Sequence, residues 1–276
     1  MNTLIRKLYY SLPVNLRYAA RRILYLPQDL LRDKKTLVPP KGKIFTGRGN
    51  FSETGKFFLE RFKKYGNITP KSHVLDIGSG IGRMAVPFTG FLDKDGVYEG
   101  FDIVKMGVDW CTDNITKQYP NFRFKHIPLK NDLYNLSTDL QASKMVFPYE
   151  DDSFDFVFLT SVFTHMLPED VENYIKEIKR VLKPGKICFA QFFILDNGSR
   201  ESMLKKGSKT FNYDYGNYAL MDKNVKEANV AYDKDYIINF IKDADLKIEH
   251  FMRGFWSGLE PHPINEHQDI IIFMKK

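Results

Sequence analysis

The chain has 276 residues, which is long enough for one well-packed core with a small appendage. Its composition is that of a soluble globular protein, and its two cysteines, Cys111 and Cys188, exclude a disulfide framework or a cysteine-rich zinc site. No apolar stretch approaches the roughly 18 residues of a membrane span. The N-terminus lacks an apolar signal region, so we expect a cytoplasmic protein.

The net charge of +7 is concentrated near the N-terminus. Residues 1–43 contain ten Lys or Arg and two Asp, whereas the other residues contain 31 basic and 32 acidic side chains. The body of the protein is therefore almost neutral, which argues against a nucleic-acid groove spread across it. We predict a basic helical extension at 1–43 and one domain at 44–276.

Two short helices are predicted in the extension, at 3–12 and 14–26, with Pro13 between them. On the second helix, one face carries apolar residues and the other carries arginines: Leu16, Ala19, Ala20, Ile23 and Leu24 against Arg17, Arg21 and Arg22. Such a helix either packs on its own domain with its arginines in solvent or lies on an anionic membrane. The second interpretation predicts peripheral contact with the inner membrane face through residues 1–35.

A predicted helix with phenylalanines at helical spacing ends at Gly66 and precedes the most informative stretch. There a buried strand at 74–77, containing Asp76, runs into a turn with glycine at every second position: Gly78, Gly80 and Gly82. Glycine suits a turn that bends sharply and lies close to a ligand, because a Cβ would block the approach. A helix is predicted at 83–91, with its unpaired N–H groups facing the same spot.

Asp102 ends the next predicted strand, at 97–103, twenty residues after Gly82. A carboxylate at this place can accept both hydroxyls of a ribose, although it can also cap a helix. A helix at 108–119 and a strand at 122–127 follow. The polar stretch at 128–145 then reads as a loop over the mouth of the site.

A further buried strand at 156–160 ends at Thr160, and His165 lies just beyond it. This histidine is either a general base or a group that holds the local turn by hydrogen bonding. The following helix begins at Pro168 and stops at Lys183-Pro184-Gly185, before a strand at 187–194.

Residues 196–232 lack periodicity and are rich in aromatic residues, so we interpret them as a long loop that covers the substrate. A helix capped by Asp233, a strand at 246–252 and a closing strand at 269–274 complete the chain. Between these strands lies a loop with Trp256, His262 and His267. Trp256 and the tyrosines at 213–218 either line an acceptor wall or anchor their loops.

Taken together, four features resemble the class I S-adenosylmethionine-dependent methyltransferases, and most of all their "type 11" small-molecule group. The features are Asp76 with the three glycines, Asp102, Ser153-Phe154-Asp155, and Lys183-Pro184-Gly185. The resemblance is detailed over about residues 50–195. It implies an α/β fold with a doubly wound, seven-stranded, mostly parallel sheet whose last strand is antiparallel.

The resemblance also implies S-adenosylmethionine as cofactor, no metal, and a set of contact residues. Asp76, Gly78, Ser79, Gly80 and Gly82 would surround its methionine end, Asp102 would hold the ribose, Ile103 would pack on the adenine, and Thr160 would lie beside the methyl donor. An acidic residue that many relatives carry after the third strand is missing here, at Pro128. Gln141 or Ala142 is therefore the candidate for the adenine contact.

The expected acceptor is a small molecule, and the aromatic residues suggest a sugar or a glycan- or lipid-linked precursor. An oxygen acceptor needs a base, for which His165 is the candidate. The sequence leaves the methylated atom and the oligomeric state open.

Two other functions compete with this one. A nicotinamide-dependent oxidoreductase is opposed by Arg83, which stands where the dinucleotide fingerprint has its last small residue. A non-catalytic methyltransferase-like module could dock on a membrane or a partner enzyme through the basic extension.

Overall fold

The protein is described from a computed structural model that covers residues 14–33, 35–47, 49–135, 137–206, 211–260 and 264–276. The helix predicted at 3–12 and the residue His262 lie outside these ranges. Seven α-helices are described: α1 Val14–Leu30, α2 Phe51–Gly66, α3 Ala85–Phe88, α4 Lys105–Cys111, α5 Pro168–Val181, α6 Asn197–Lys206 and α7 Lys234–Asp243.

The strands form one large and one small sheet. They are β1 His73–Ile77, β2 Val97–Asp102, β3 Phe122–His126, β4 Phe154–Leu159, β5 Leu182–Phe192, β6 Ile194–Leu195, β7 Tyr213–Asp214, β8 Tyr218–Leu220, β9 Val230–Asp233, β10 Leu246–Met252 and β11 Asp269–Lys275. In the large sheet the order is β10-β11-β5-β4-β1-β2-β3. Only β11 runs antiparallel to its neighbours, which confirms the predicted seven-stranded sheet.

Helices cover both faces of this sheet because its central strands are apolar on both sides. Tyr174 and Ile178 of α5 pack in one buried cluster. Phe58 and Phe62 of α2 pack in the other, where the Phe62 ring stacks on Phe158 of β4 at 4.4 Å. These two phenylalanines therefore belong to the core.

Two helices beside the glycine turn differ from their predictions. The predicted helix at 83–91 is only the four-residue α3, because Pro87 supplies no N–H and the chain then turns through i→i−3 bonds from Thr89 and Gly90. The predicted helix at 108–119 begins earlier, at Lys105, and ends as a π-helical turn, Thr112–Thr116. A four-residue helix contributes little macrodipole, so individual N–H groups define the turn.

The prediction of a long loop at 196–232 was wrong, because this segment has its own secondary structure. After α6, the strands β7 and β8 form a hairpin whose turn contains Gly216, and β8 pairs with β9. With β6 they make a four-stranded sheet in the order β6-β9-β8-β7. These strands have two to four residues, which is too short for a periodic pattern to show in the sequence.

Helix α1 packs on the domain through the side that was predicted to face solvent. Arg17 donates from Nη2 to the carbonyl oxygen of Leu133, and the Tyr18 ring lies 5.8 Å from that of Phe45. Leu16 and Ile23 of the predicted inner face are exposed instead. Of the two interpretations, the one in which the apolar face packs on the domain is therefore wrong for these residues, because polar contacts orient the helix. Among the described helices, none has both the length and the apolar character needed to cross a bilayer.

Replacing Gly82 by alanine tests the packing under the turn. Gly82 has φ of +76°, and a Cβ there lies 2.8 Å from Ile115 Cδ1 and 2.9 Å from Cys111 Sγ. We expect Gly82→Ala to lower the free energy of unfolding in urea by about 2–4 kcal/mol, from backbone strain plus overpacking. Gly216→Ala is the matched control, since Gly216 has φ of +84° with nothing within 4 Å. Equal losses in the two variants would contradict the packing argument.

Candidate active site

The turn after β1 has three glycines in left-handed conformations. The φ angles of Gly78, Gly80 and Gly82 are +78°, +57° and +76°. A Cβ on Gly78 would come within 2.4 Å of Val162 Cγ2, whereas one on Gly80 would meet only Thr46 Oγ1, at 3.4 Å. A Cβ would therefore clash severely at the two ends of the turn and less at Gly80 in its middle.

Hydrogen bonds attach this turn to the end of β2. The N–H groups of Gly78 and Ser79 donate to the carbonyl oxygen of Phe101, at 2.9 and 3.0 Å. The N–H of Gly80 donates to Asp102 Oδ2, and that of Val104 donates to Asp102 Oδ1, both at 2.7 Å. Neighbouring parallel strands therefore place the two predicted halves of the cofactor site side by side.

Asp102 has a structural role that the sequence did not predict, because it holds the turn itself. Its side chain is buried, which raises its pKa to about 6 although the bonds from Val104 and Gly80 act in the opposite direction. Each carboxylate oxygen has used one lone pair and keeps another, so both remain able to accept a hydroxyl. The geometry is compatible with the predicted ribose contact.

Asp76 is buried beneath the same turn. The Tyr98 hydroxyl donates to Oδ2 at 2.5 Å, whereas Oδ1 has no hydrogen-bond partner among the described residues. Burial raises the pKa of Asp76 to about 7, opposed by the Tyr98 bond and reinforced by the charge of Asp102. A buried carboxylate oxygen without a donor is costly, so Oδ1 suits an ammonium or hydroxyl group of a ligand. The buried Ser79 Oγ has the same need.

The remaining predicted cofactor residues lie at adjoining strand ends. Ile103 follows β2 and is half-buried, and Thr160 is half-buried where β4 ends beside β1. The next residue, Ser161, has φ of +59° and donates from Oγ to Gln268 Oε1 at 3.0 Å. For the predicted adenine contact, Gln141 is exposed, and the Ala142 carbonyl already accepts a bond from Asn173 Nδ2.

A cleft of about 510 Å³ opens next to Asp102, beyond the end of β3. It is lined by Lys125, His126, Ile127, Met145, Val146 and Pro148. His126 pairs with Asp102 across the two strands, and its Nε2 lies 3.3 Å from the carbonyl oxygen of Ile103. This volume is in the range of small-molecule pockets. The cleft is therefore a further candidate position for the adenine contact, besides Gln141 and Ala142.

His165 closes a short 3₁₀ turn, Phe163–His165, just after β4. Its Nδ1 lies 3.0 Å from the carbonyl oxygen of Glu227. Because a carbonyl only accepts, Nδ1 carries the hydrogen, and the lone pair of the neutral ring is on Nε2. Both roles considered for this histidine, general base and support of the turn, are compatible with this bond.

Glu227 is a candidate site residue that the sequence analysis missed, because it lies in an aperiodic polar segment. Its Oε1 accepts from Asn131 Nδ2 at 2.9 Å, and its Oε2 accepts from the N–H of Asp132 at 2.6 Å. Asn131 Nδ2 also donates to the His165 carbonyl at 3.1 Å. Burial raises the pKa of Glu227 to about 7. Glu227 thus connects the two insertions, 128–145 and 196–232, at His165.

Trp256 acts as an anchor in this structure rather than as an exposed wall. It is buried between Phe193 and Phe211, with ring centroids at 5.2 and 5.5 Å, and its Nε1 donates to Asp269 Oδ2. Tyr215 is exposed and stacks on Tyr218 at 4.9 Å. Among the described residues, no group of His, Cys, Asp or Glu side chains is arranged to hold a metal ion.

The sheet order, the glycine turn after β1 and the carboxylate that ends β2 are those of the class I S-adenosylmethionine-dependent methyltransferases. Residues 75–190 of the chain match the family described as "Methyltransferase domain". This match contains Asp76, the glycine turn and Asp102. The match supports S-adenosylmethionine as the cofactor.

Individual relatives are distant. A sterol 24-C-methyltransferase of Schizosaccharomyces pombe is 26% identical over 149 residues, which are 54% of this chain and 35% of that protein. The match thus spans about a third of that relative's length. A similar fold occurs in a SAM-dependent methyltransferase from Methanosarcina mazei, with a TM-score of 0.51, 20% identity, and coverage of 79% of this chain and 96% of that one.

A second similar structure is the 1,6-didemethyltoxoflavin-N1-methyltransferase of Burkholderia thailandensis with bound 1,6-didemethyltoxoflavin and S-adenosylhomocysteine. Its TM-score is 0.52 at 15% identity, with coverage of 96% of this chain and 91% of that one. At this identity the likeness extends to the fold alone.

Replacing Asp102 by alanine tests the cofactor site. We expect Asp102→Ala to weaken S-adenosylhomocysteine binding at least about tenfold in calorimetry, because the turn loses its acceptor and the ligand loses a charge-assisted bond. Asp109→Ala removes an exposed carboxylate seven residues later, one that pairs only with Lys105 in the described contacts. Equal affinity of both variants for S-adenosylhomocysteine would contradict the assignment of Asp102 to the cofactor site.

Asp76→Asn tests the buried carboxylate by opposite effects on stability and binding. Because the folded-state pKa of about 7 exceeds the ordinary value of 3.8, Asp76 favours folding below about pH 4 and loses this contribution as the pH rises through 7. At pH 8 we expect the variant to be more stable than the parent by about 1–3 kcal/mol.

The same variant should bind S-adenosylhomocysteine more weakly, because the hydrogen bond from the ligand's ammonium group to an amide is weaker than the charge-assisted bond to a carboxylate. Urea unfolding at pH 5 and pH 8 measures the first effect, and calorimetry measures the second. Asp113→Asn, an exposed carboxylate paired with Lys117, is the control. A stability profile parallel to that of the parent across this range would contradict the argument.

Proposed function

We propose that the chain transfers a methyl group from S-adenosylmethionine to a hydroxyl group of a small-molecule acceptor, such as a sugar or a glycan- or lipid-linked precursor. The observation that carries the choice of oxygen is the bond from His165 Nδ1 to the Glu227 carbonyl. It sets the tautomer in which Nε2 can take a proton.

On the donor side, the residues bind and orient. Bound S-adenosylmethionine supplies a methyl group that is already electrophilic on its sulfonium. Asp102 would hold the ribose hydroxyls with its remaining lone pairs, and Asp76 Oδ1 would accept from the amino group. Gly80 allows the backbone to approach the ligand closely. In-line placement of the acceptor is then the main contribution of the protein to the rate.

On the acceptor side, His165 would remove the hydroxyl proton at Nε2. The imidazolium that forms keeps its Nδ1–H bonded to the Glu227 carbonyl, which stabilises the positive charge. General base catalysis of this kind contributes about 10²–10⁴-fold.

The two insertions, at 128–145 and 196–232, would form the acceptor lid. Their contact supports this assignment, because Asn131 Nδ2 donates both to Glu227 Oε1 and to the carbonyl oxygen of His165. The exposed Tyr215 beside Tyr218 offers an aromatic surface suited to a sugar ring.

We also propose a cytoplasmic address with peripheral contact at the inner membrane face through residues 1–35. The excess of basic residues in 1–43 over an almost neutral remainder supports this contact.

His165→Ala tests the proposed base. An extract of small metabolites is incubated with the protein and methyl-deuterated S-adenosylmethionine, and the product that gains the label is identified by mass spectrometry. We expect the variant to label that product at least about 10²-fold more slowly, with unchanged affinity for S-adenosylhomocysteine. His250→Ala, at an exposed histidine of β10, is the control.

Full turnover by His165→Ala would leave His165 with the structural role alone. Binding of S-adenosylhomocysteine without any labelled product would favour the non-catalytic module instead.

A further inference from the structure

The apolar face of α1 points away from the domain. Six large apolar side chains in and directly after this helix are between 53% and 89% exposed: Leu16, Ile23, Leu24, Leu26, Leu30 and Leu31. They are six of the thirteen exposed large apolar side chains in the described part of the chain. A helix that packs only on its own domain buries this side, so the exposed face requires another partner.

Polar contacts prevent the helix from rolling over to bury these leucines. In the first turn of the helix, Arg17 donates to the Leu133 carbonyl. In the last turn, Asp29 accepts from the N–H of Gly42 at 2.9 Å. A Cβ on Gly42 would lie 2.9 Å from the Arg22 Cα, so the helix backbone rests directly on this glycine. The outward orientation is therefore determined at both ends.

Charge decides which partner suits this face. Residues 1–43 carry ten Lys or Arg against two Asp, so this segment has a strong positive charge in addition to its apolar face. A second copy of the chain would bring two such basic segments together, which costs free energy. An anionic bilayer satisfies both properties, because its headgroups attract the cations and its acyl boundary accepts the leucines.

We infer that α1 lies in the plane of an anionic lipid surface, with Leu16, Ile23, Leu26 and Leu30 inserted at the headgroup–acyl boundary. The inference deepens the proposed peripheral contact and does not depend on methyl transfer.

Docking in this orientation keeps the site near the bilayer. Through Arg17, α1 contacts the first insertion at Leu133. Through Tyr18, it contacts Phe45, next to Thr46, whose carbonyl accepts from Arg83 at the glycine turn. A lipid-linked acceptor would then reach the site without leaving the membrane surface.

Vesicle sedimentation tests the inference with the full chain. We expect it to sediment with vesicles of phosphatidylglycerol and phosphatidylcholine, less so in high salt, and hardly with phosphatidylcholine alone. The double variant Ile23→Asp/Leu30→Asp should lose partitioning by about tenfold or more. Leu204→Asp, at an exposed leucine of α6, is the matched control and should sediment like the parent.

Calorimetry with S-adenosylhomocysteine is run on all variants. Unchanged binding shows that they are folded, so a failure to dock is separate from a failure of the proposed enzyme. No sedimentation of the full chain, or equal sedimentation of the double variant, overturns the inference. So does a dimer in sedimentation velocity that the double variant dissociates, because a second copy then covers the face.

Discussion

The site depends on the hydrogen bonds that join the turn after β1 to the end of β2. Three successive N–H groups of the turn are directed to Phe101 and Asp102, and the left-handed glycines make this direction possible. A β-carbon at Gly78 or Gly82 would collide with the packed side chains beneath. The backbone therefore preorganises the surface proposed for the cofactor, and Asp102, the proposed ribose contact, also supports the turn.

Three carboxyl groups of the protein are buried near the proposed site. Asp76, Asp102 and Glu227 all have pKa values raised by desolvation, and each lies beside the proposed cofactor site or near His165. Burying neutral side chains at these positions would cost less free energy than burying carboxylates. Their retention is understandable if they interact with positive charge during binding or turnover, and clusters of such groups are typical of functional sites.

The sequence predicted the parts that local chemistry determines. Glycine spacing revealed the turn, the apolar runs revealed the strands, and Asp233 was correctly identified as a cap, since it accepts from the N–H groups of Asp235 and Tyr236. Contacts between distant segments could not be predicted. The meeting of Glu227 with Asn131, the burial of Trp256 and the outward face of α1 all depend on tertiary packing. The position of the cofactor residues is described, and their roles stay predictions.

The small sheet β6-β9-β8-β7 is a separate hydrogen-bonded unit. It meets the catalytic side of the fold near Met166, whose carbonyl accepts from Tyr232, whereas the hairpin around Gly216 lies at its far strand pair. None of its strands belongs to the sheet that carries the glycine turn. If this insertion forms the proposed acceptor lid, sequence changes in the hairpin can alter which molecule is accepted without changing the strands that carry the glycine turn, a modular route to new specificities on one scaffold.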